Sequence, residues 1–243
     1  MNQRAFTLIE LLVSIGVLAI LIGILLPALS ATRTNAFEIK AMSQLRDLGL
    51  TLELYTQQSK NFYPWHSPDE PYNYSPPNQP PTGNLTSSDD PWTLRTLWPT
   101  TLHDVAPWSE HYLNWLGANP SQTDSSAPWR SESGSSVYSP YQYSNSFVGD
   151  PTCWLANGLA RSRPVRHHEV RFPSSKALMF DLSRNYLTRV NRVKFPRAVL
   201  ASDSSVKMRF DTDSSIPTQN RARPGASLQF YHDTPGGVVG RDF

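Results

Sequence analysis

The stretch Phe6 to Leu29, FTLIELLVSIGVLAILIGILLPAL, decides the architecture. Its 24 residues hold one charged side chain, Glu10, and no Lys or Arg. At about 1.5 Å per residue, such a helix covers roughly 36 Å, enough for the roughly 30 Å hydrocarbon core of a bilayer. A secretory signal is the competing reading, since Arg4 supplies a short basic leader and Ala28-Leu29-Ser30 could serve as a cleavage site. Secretory signals, however, carry apolar runs of about 7 to 15 residues. The run from Leu11 to Leu26 is longer and has a carboxylate just ahead of it, so the stretch reads as a spanning helix.

Glu10 asks for a partner, because a carboxylate in a spanning segment costs about 2.5 to 3.5 kcal/mol. If the chain is cut between Ala5 and Phe6, the new α-amine sits four residues from Glu10, one helical turn away and on the same face. The amine of a neighbouring chain would serve equally, and snorkelling of the acid to the headgroup layer is the alternative. Pro27 removes one backbone hydrogen bond and is expected to bend or locally melt the helix.

Beyond Ala28 the chain turns polar, and apolar residues then recur at Ala41, Leu45, Leu48, Leu52 and Tyr55. That is the spacing of one helical face, so the helix is expected to continue to about Ser59 with a core-facing stripe. Nine prolines between Pro64 and Pro99, and Gly and Ser around Ser121 to Ser136, predict loops. Strand-like runs follow at Ala177 to Leu182, Ala198 to Ala201, Val206 to Phe210 and Ser227 to Tyr231. Strands after a long helix imply an α+β fold, with a long amino-terminal helix packed on a loop-rich antiparallel β-sheet domain.

The string Arg4-Ala5-Phe6-Thr7-Leu8-Ile9-Glu10-Leu11-Leu12-Val13 resembles the prepilin signal of type IV pilins and type II secretion pseudopilins. In that family a membrane peptidase removes the basic leader, methylates the new amino-terminal Phe and leaves a Glu as the fifth mature residue. The resemblance places cleavage between Ala5 and Phe6, N-methylation on Phe6, and the assembly charge at Glu10. Ala5 stands where the family usually has Gly, and Pro27 falls where many pilins carry a helix-kinking proline. The stretch from Met42 to Tyr55, then Asn61 to Pro64, also looks like a pseudopilin subgroup. His232, nine intervening residues and Asp242 are similar to an H-x9-D-G signature that ends many such proteins. Here Phe243 replaces the Gly and Pro235-Gly236-Gly237 interrupts the usual apolar stretch, and a surface loop with an unrelated His and Asp is the alternative reading.

The resemblance implies a pilin-like chain divided into a leader (1–5), a transmembrane and assembly helix (6–29), an amphipathic continuation (30–60) and a periplasmic or extracellular domain (61–243). It implies a single pass through the bacterial inner membrane. The implied partners are prepilin peptidase, the membrane, and other pilin or pseudopilin subunits; nucleic acid is not an expected partner. The implied role is structural and not enzymatic. A membrane-anchored or secreted binding protein is the alternative, for sugar through Trp92, Trp98, Trp108, Trp115 and Trp129, although Trp in a loop-rich domain more often fills core.

The net charge of +2 hides a segregation. From Asn61 to Ala160 there are nine acids and two bases, and from Arg161 to Arg197 ten bases against Glu169 and Asp181. Arg161, Arg163, Arg166 and Arg171 are therefore candidates for a patch facing the acidic stretch of a neighbouring subunit. Capture of DNA phosphates by the 161–197 segment is a second use, and pairing within the chain a third.

No catalytic residue or cofactor is expected. His167-His168-Glu169 lacks metal-site spacing, and adjacent histidines on a strand would point apart. The chain has no Gly-x-Ser-x-Gly elbow, phosphate-binding loop or dinucleotide fingerprint. Asp203, Asp211 and Asp213 read as Asp-rich turns, with a calcium cage as the lesser reading. The single cysteine, Cys153, excludes an intramolecular disulfide and reads as a small buried apolar residue.

Overall fold

The computed structural model describes residues 7–65, 92, 94–102, 105, 141–155, 162–181, 196–223, 225 and 228–243. Helix α1 runs Leu8–Gln58 and α2 Leu94–Thr101. The strands are β1 Tyr141–Tyr143, β2 Ala177–Asp181, β3 Arg197–Ala201 and β4 Val206–Arg209. The fold is thus α+β, one long amino-terminal helix and a four-stranded antiparallel sheet in the order β1-β2-β3-β4. Internal contacts divide the chain between Ile39 and Lys40.

In the first unit, every described apolar side chain from Leu8 to Leu29 is exposed. One helix here is long and apolar enough to cross a membrane. The helix is continuous through Pro27, with no locally melted turn. The proline has no N–H to offer the Gly23 carbonyl, and that single missing bond is tolerated inside a long helix. Ser14, Thr32 and Thr34 turn their hydroxyls onto carbonyls four residues earlier, so their polar groups are satisfied by the helix itself.

In the second unit, the expected stripe of α1 is the one that packs. Ala41, Leu45, Leu48 and Leu52 are buried and Tyr55 is half-buried. Gly49 lets the helix approach the sheet, since a Cβ there would lie 3.0 Å from the Leu200 side chain. The Tyr141 hydroxyl donates to the Gln44 amide oxygen at 2.7 Å, tying β1 to the same helix face. The helix stops because Lys60 and Asn61 turn left-handed (φ 54° and 64°), a conformation Asn tolerates well. Phe62 then bridges to Arg166, and His167 N donates to the Asn61 carbonyl at 2.9 Å.

All five residues of β2 are buried, which makes it a central strand with covered faces. Its register against β3 slips between Ala177 and Met179. That extra residue changes the alternation, so Ala177 and Phe180, three apart, share one cluster with Val199 and Tyr231. Phe230 and Phe243 pack against this cluster.

One strand expectation needs correction, and one strand was not expected. Residues 228–231 form no strand: they enter a turn in which Tyr231 has φ 67° and the Ser144 hydroxyl donates to its carbonyl. The sheet instead takes β1, which the sequence pattern did not reveal, and pairs it with β2 in the register Tyr141↔Asp181.

Trp154 marks a tight corner. A Cβ on Gly237 (φ 58°) would stand 2.6 Å from its ring, and one on Gly149 would stand 3.3 Å from it and 2.5 Å from Trp92. Trp92 and Trp154 meet edge to face, with centroids 6.0 Å apart. Cys153, next to Trp154 in sequence, is buried, as a small apolar residue should be.

Candidate functional site

Three groups of residues invite functional reading, and the first is the start of α1. Thr7 and Glu10 form a reciprocal pair: the Glu10 N–H donates to the Thr7 hydroxyl at 3.3 Å, while the Thr7 N–H and hydroxyl donate to Glu10 Oε2 at 2.9 and 2.8 Å. This is a capping box, in which two orphan amides of the first turn are satisfied by each other's side chains. Both contacts use Oε2, and among the described residues Oε1 has no partner. Ala5 and Phe6 lie outside the described residues.

The second group is the basic stretch. Arg163 is spoken for within the chain: Nε donates to Asp150 Oδ2 at 2.9 Å, and Nη1 and Nη2 grip both Glu169 oxygens at 3.1 and 2.6 Å. Burial raises the Asp150 and Glu169 carboxyls. The Thr152 and Arg166 amides, the Thr152 hydroxyl and the Arg163 guanidinium outweigh it and hold both below their ordinary range. Arg166 lies over the Phe62 ring at 4.6 Å and Arg171 over Phe172 at 5.4 Å. Arg161 lies outside the described residues. His167, His168 and Glu169 form a 3-10 turn and not a strand, because the Glu169 carboxylate accepts the Arg166 N–H and closes it.

The third group surrounds the carboxyl-terminal His and Asp, and it overturns the surface-loop reading. His232 and Asp242 are both buried. The Asn145 N–H donates to His232 Nδ1 at 3.1 Å, which fixes the tautomer and leaves Nε2–H to donate to Gln142 Oε1 at 2.7 Å. Burial holds the imidazole well below its ordinary range, and the positive charges of Arg95, Arg223, Arg197 and Lys176 add to the effect. Asp242 Oδ2 accepts the Ala177 N–H at 2.8 Å and faces Lys176 Nζ at 3.1 Å. Its other oxygen accepts the Thr234 hydroxyl. Lys176 also donates to Ser146 Oγ at 2.9 Å and Thr234 Oγ1 at 2.7 Å, so its three protons are matched by three acceptors. Even so, burial keeps its ammonium below the ordinary lysine range, with Asp242 opposing. The side chains are 0% and 2% exposed. The arrangement holds the carboxyl-terminal segment against the start of β2; nothing in it presents a nucleophile or acid to solvent.

The calcium candidates do not converge. Asp211 is buried against Arg197, whose guanidinium it accepts from. Asp203 accepts from Ser205 N and Oγ within its turn, and Asp213 from the Thr212 hydroxyl. No cluster of metal-binding side chains forms among the described residues. Trp92 and Trp98 are core residues, with Trp98 Nε1 donating to the Tyr141 carbonyl at 2.8 Å, while Trp108, Trp115 and Trp129 lie outside the described residues. The Lys176 clasp was beyond sequence reasoning. Its only signal was a lysine placed just ahead of the apolar run Ala177 to Phe180.

No curated protein and no solved structure matches the chain. The motif found at the other end implies cleavage by a prepilin peptidase and assembly as a pilin-like subunit, and with the apolar helix it fits a single-pass, membrane-anchored chain. Residues 1–26 match the family described as the prokaryotic N-terminal methylation motif, the signature carried by type IV pilins and pseudopilins.

Proposed function

We propose that this chain is a non-enzymatic structural subunit of a type II secretion pseudopilus or a type IV pilus-like filament. One observation carries the reading: the methylation motif opens a helix whose apolar residues from Leu8 to Leu29 are exposed. Lipid covers that surface before assembly, and neighbouring helices cover it afterwards, with Gly16 and Gly23 allowing close approach. Cleavage between Ala5 and Phe6 removes the leader, and Phe6 becomes the methylated terminus. Glu10, which keeps Oε1 open beyond its capping box, receives the Phe6 amine of a neighbouring subunit. That pairing offsets the cost of a carboxylate in lipid. The chain passes once through the bacterial inner membrane, with leader 1–5, spanning helix 6–29, continuation 30–60 and domain 61–243 in the periplasm or on a filament.

Intact mass and amino-terminal sequencing of protein purified from its own membranes test this. A mature chain that starts at N-methyl-Phe6 is the expected result. An uncut Met1, or a start near Ala31, refutes it.

A further inference from the structure

Asp242 points into the domain, while its two neighbours belong to a different arrangement. Arg241 carries its guanidinium 3.9 Å from the centre of the Phe172 ring, and Arg171 lies 5.4 Å from the same ring. Next along the tail, the Arg209 guanidinium sits 4.0 Å over Phe243. Two phenyl rings therefore hold three guanidinium groups at one margin of the domain. Arg171 and Arg241 are exposed and Arg209 is half-exposed. Among the described residues, none of the three forms an ion pair, and the Nε of Arg209 is buried with no acceptor. The side-chain carboxylates nearest them in sequence are already held, Glu169 by Arg163, Asp211 by Arg197 and Asp242 by Lys176.

Gathering like charges without a counter-charge is unfavourable, and stacking on aromatic rings only partly offsets it. The stacking also fixes side chains that otherwise lose conformational freedom on capture of a partner, so the groups are preorganised for an anion. Which anion follows from the filament reading, on which this inference rests. Identical copies in an open helical filament meet through a heterologous contact, in which two different surfaces of the same chain face each other. The complement to a cationic face must then be carried by the chain itself. The segment from Asn61 to Ala160 has nine acids against two bases, and of these Asp150 is tied to Arg163.

We propose that Arg171, Arg241 and Arg209 form an assembly face that takes carboxylates of a second copy of this chain. The face differs from the patch expected from sequence. Arg163 drops out because Asp150 and Glu169 neutralise it, and Arg241 and Arg209 enter from distant parts of the chain.

The test uses the full-length chain in its own cells, comparing wild type with Arg171→Glu/Arg241→Glu. The expected result is about a tenfold loss of pelletable polymer for the variant, with the start at Phe6 unchanged and the melting temperature of the detergent-solubilised monomer lowered no further than by Phe172→Leu. Wild-type polymer should dissociate as salt rises, and Arg171→Ala/Arg241→Ala polymer should be much less sensitive. Variant polymer within twofold of wild type, with Phe6 cleavage intact, overturns the face but leaves the filament reading standing. A variant monomer whose melting temperature falls further than that of Phe172→Leu, which removes the ring stacking alone, overturns it in favour of an ionic partner within the chain. A gel shift of double-stranded DNA that the variant loses, with polymer unchanged, overturns it in favour of phosphate. A wild-type chain that is never cleaved at Phe6 nor pelletable overturns both readings.

Discussion

Replacing Asp242 with Asn keeps the side chain's shape and removes its charge. The amide oxygen can still accept the Ala177 N–H, so what is lost is the counter-charge 3.1 Å from Lys176 Nζ and the acceptor of the Thr234 hydroxyl. Neither side chain reaches solvent, and water cannot take the place of the carboxylate. Stranding one member of such a pair costs about 3–5 kcal/mol. With a urea slope of about 2 kcal/mol per M, the unfolding midpoint should fall by about 2 M. The assay is urea titration of the detergent-solubilised chain, followed by the emission of buried Trp98 and Trp154. Adding Lys176→Met should recover part of the loss, because it removes the stranded ammonium. The deficit should also shrink as pH rises towards 10.5, where the lysine of the unfolded chain sheds its proton too. A midpoint within about 0.3 M of wild type, or a double variant that is merely the sum of its singles, would refute the clasp.

Three further outcomes follow from the same geometry. His232 is held neutral in the fold, whereas the unfolded chain protonates it at about 6.5; the unfolded state therefore binds more protons in acid, and stability should fall as pH drops below 6.5 by up to about 1.4 kcal/mol per unit. His232→Gln should flatten that slope in urea midpoints measured from pH 7.5 to 5, and an unchanged slope would assign the effect elsewhere. Glu10→Gln keeps a residue able to close the capping box but removes the charge, so the protein should be cut at Phe6 and yet fail to polymerise; wild-type amounts of polymer on sedimentation would count against the amine pairing. Gly237→Ala should lower stability by roughly 2–3 kcal/mol, through overpacking against Trp154 and an unfavourable positive φ, read as a fall in melting temperature.

Much of this was legible because it is written in short-range periodicity. Ala41, Leu45, Leu48 and Leu52 recur at helical spacing, and the fold buries that face. The runs opening at Ala177, Ala198 and Val206 are apolar enough to be strands on their own account. Tyr141-Gln142-Tyr143 is too short to declare itself and becomes a strand by pairing with β2, forty residues' worth of chain away in the sequence. Leu228 to Tyr231 alternates like a strand, but a long-range bond from Ser144 and a left-handed Tyr231 make it a turn. The amino-terminal motif could be read directly, because its chemistry depends on residues within one helical turn. The carboxyl-terminal His and Asp could not, since their partners, Asn145, Gln142, Ala177 and Lys176, are supplied by distant parts of the chain. Charge counting likewise found a basic segment but could not tell that Arg163 is already neutralised.

The corner around Trp154 bears on how sequences of this kind can diverge. Gly149 and Gly237 leave no room for a Cβ beside Trp92 and Trp154, so the three positions 149, 154 and 237 are not free to change one at a time. A smaller residue at 154 opens space at 237, and a smaller one at 92 opens it at 149, whereas a side chain gained first at either glycine runs into an indole. Substitution there has a permitted order, and related chains should show it as joint variation: glycine at 149 wherever tryptophan stands at 92, and glycine at 237 wherever tryptophan stands at 154, the positive φ at 237 narrowing the choice further even where that tryptophan has gone.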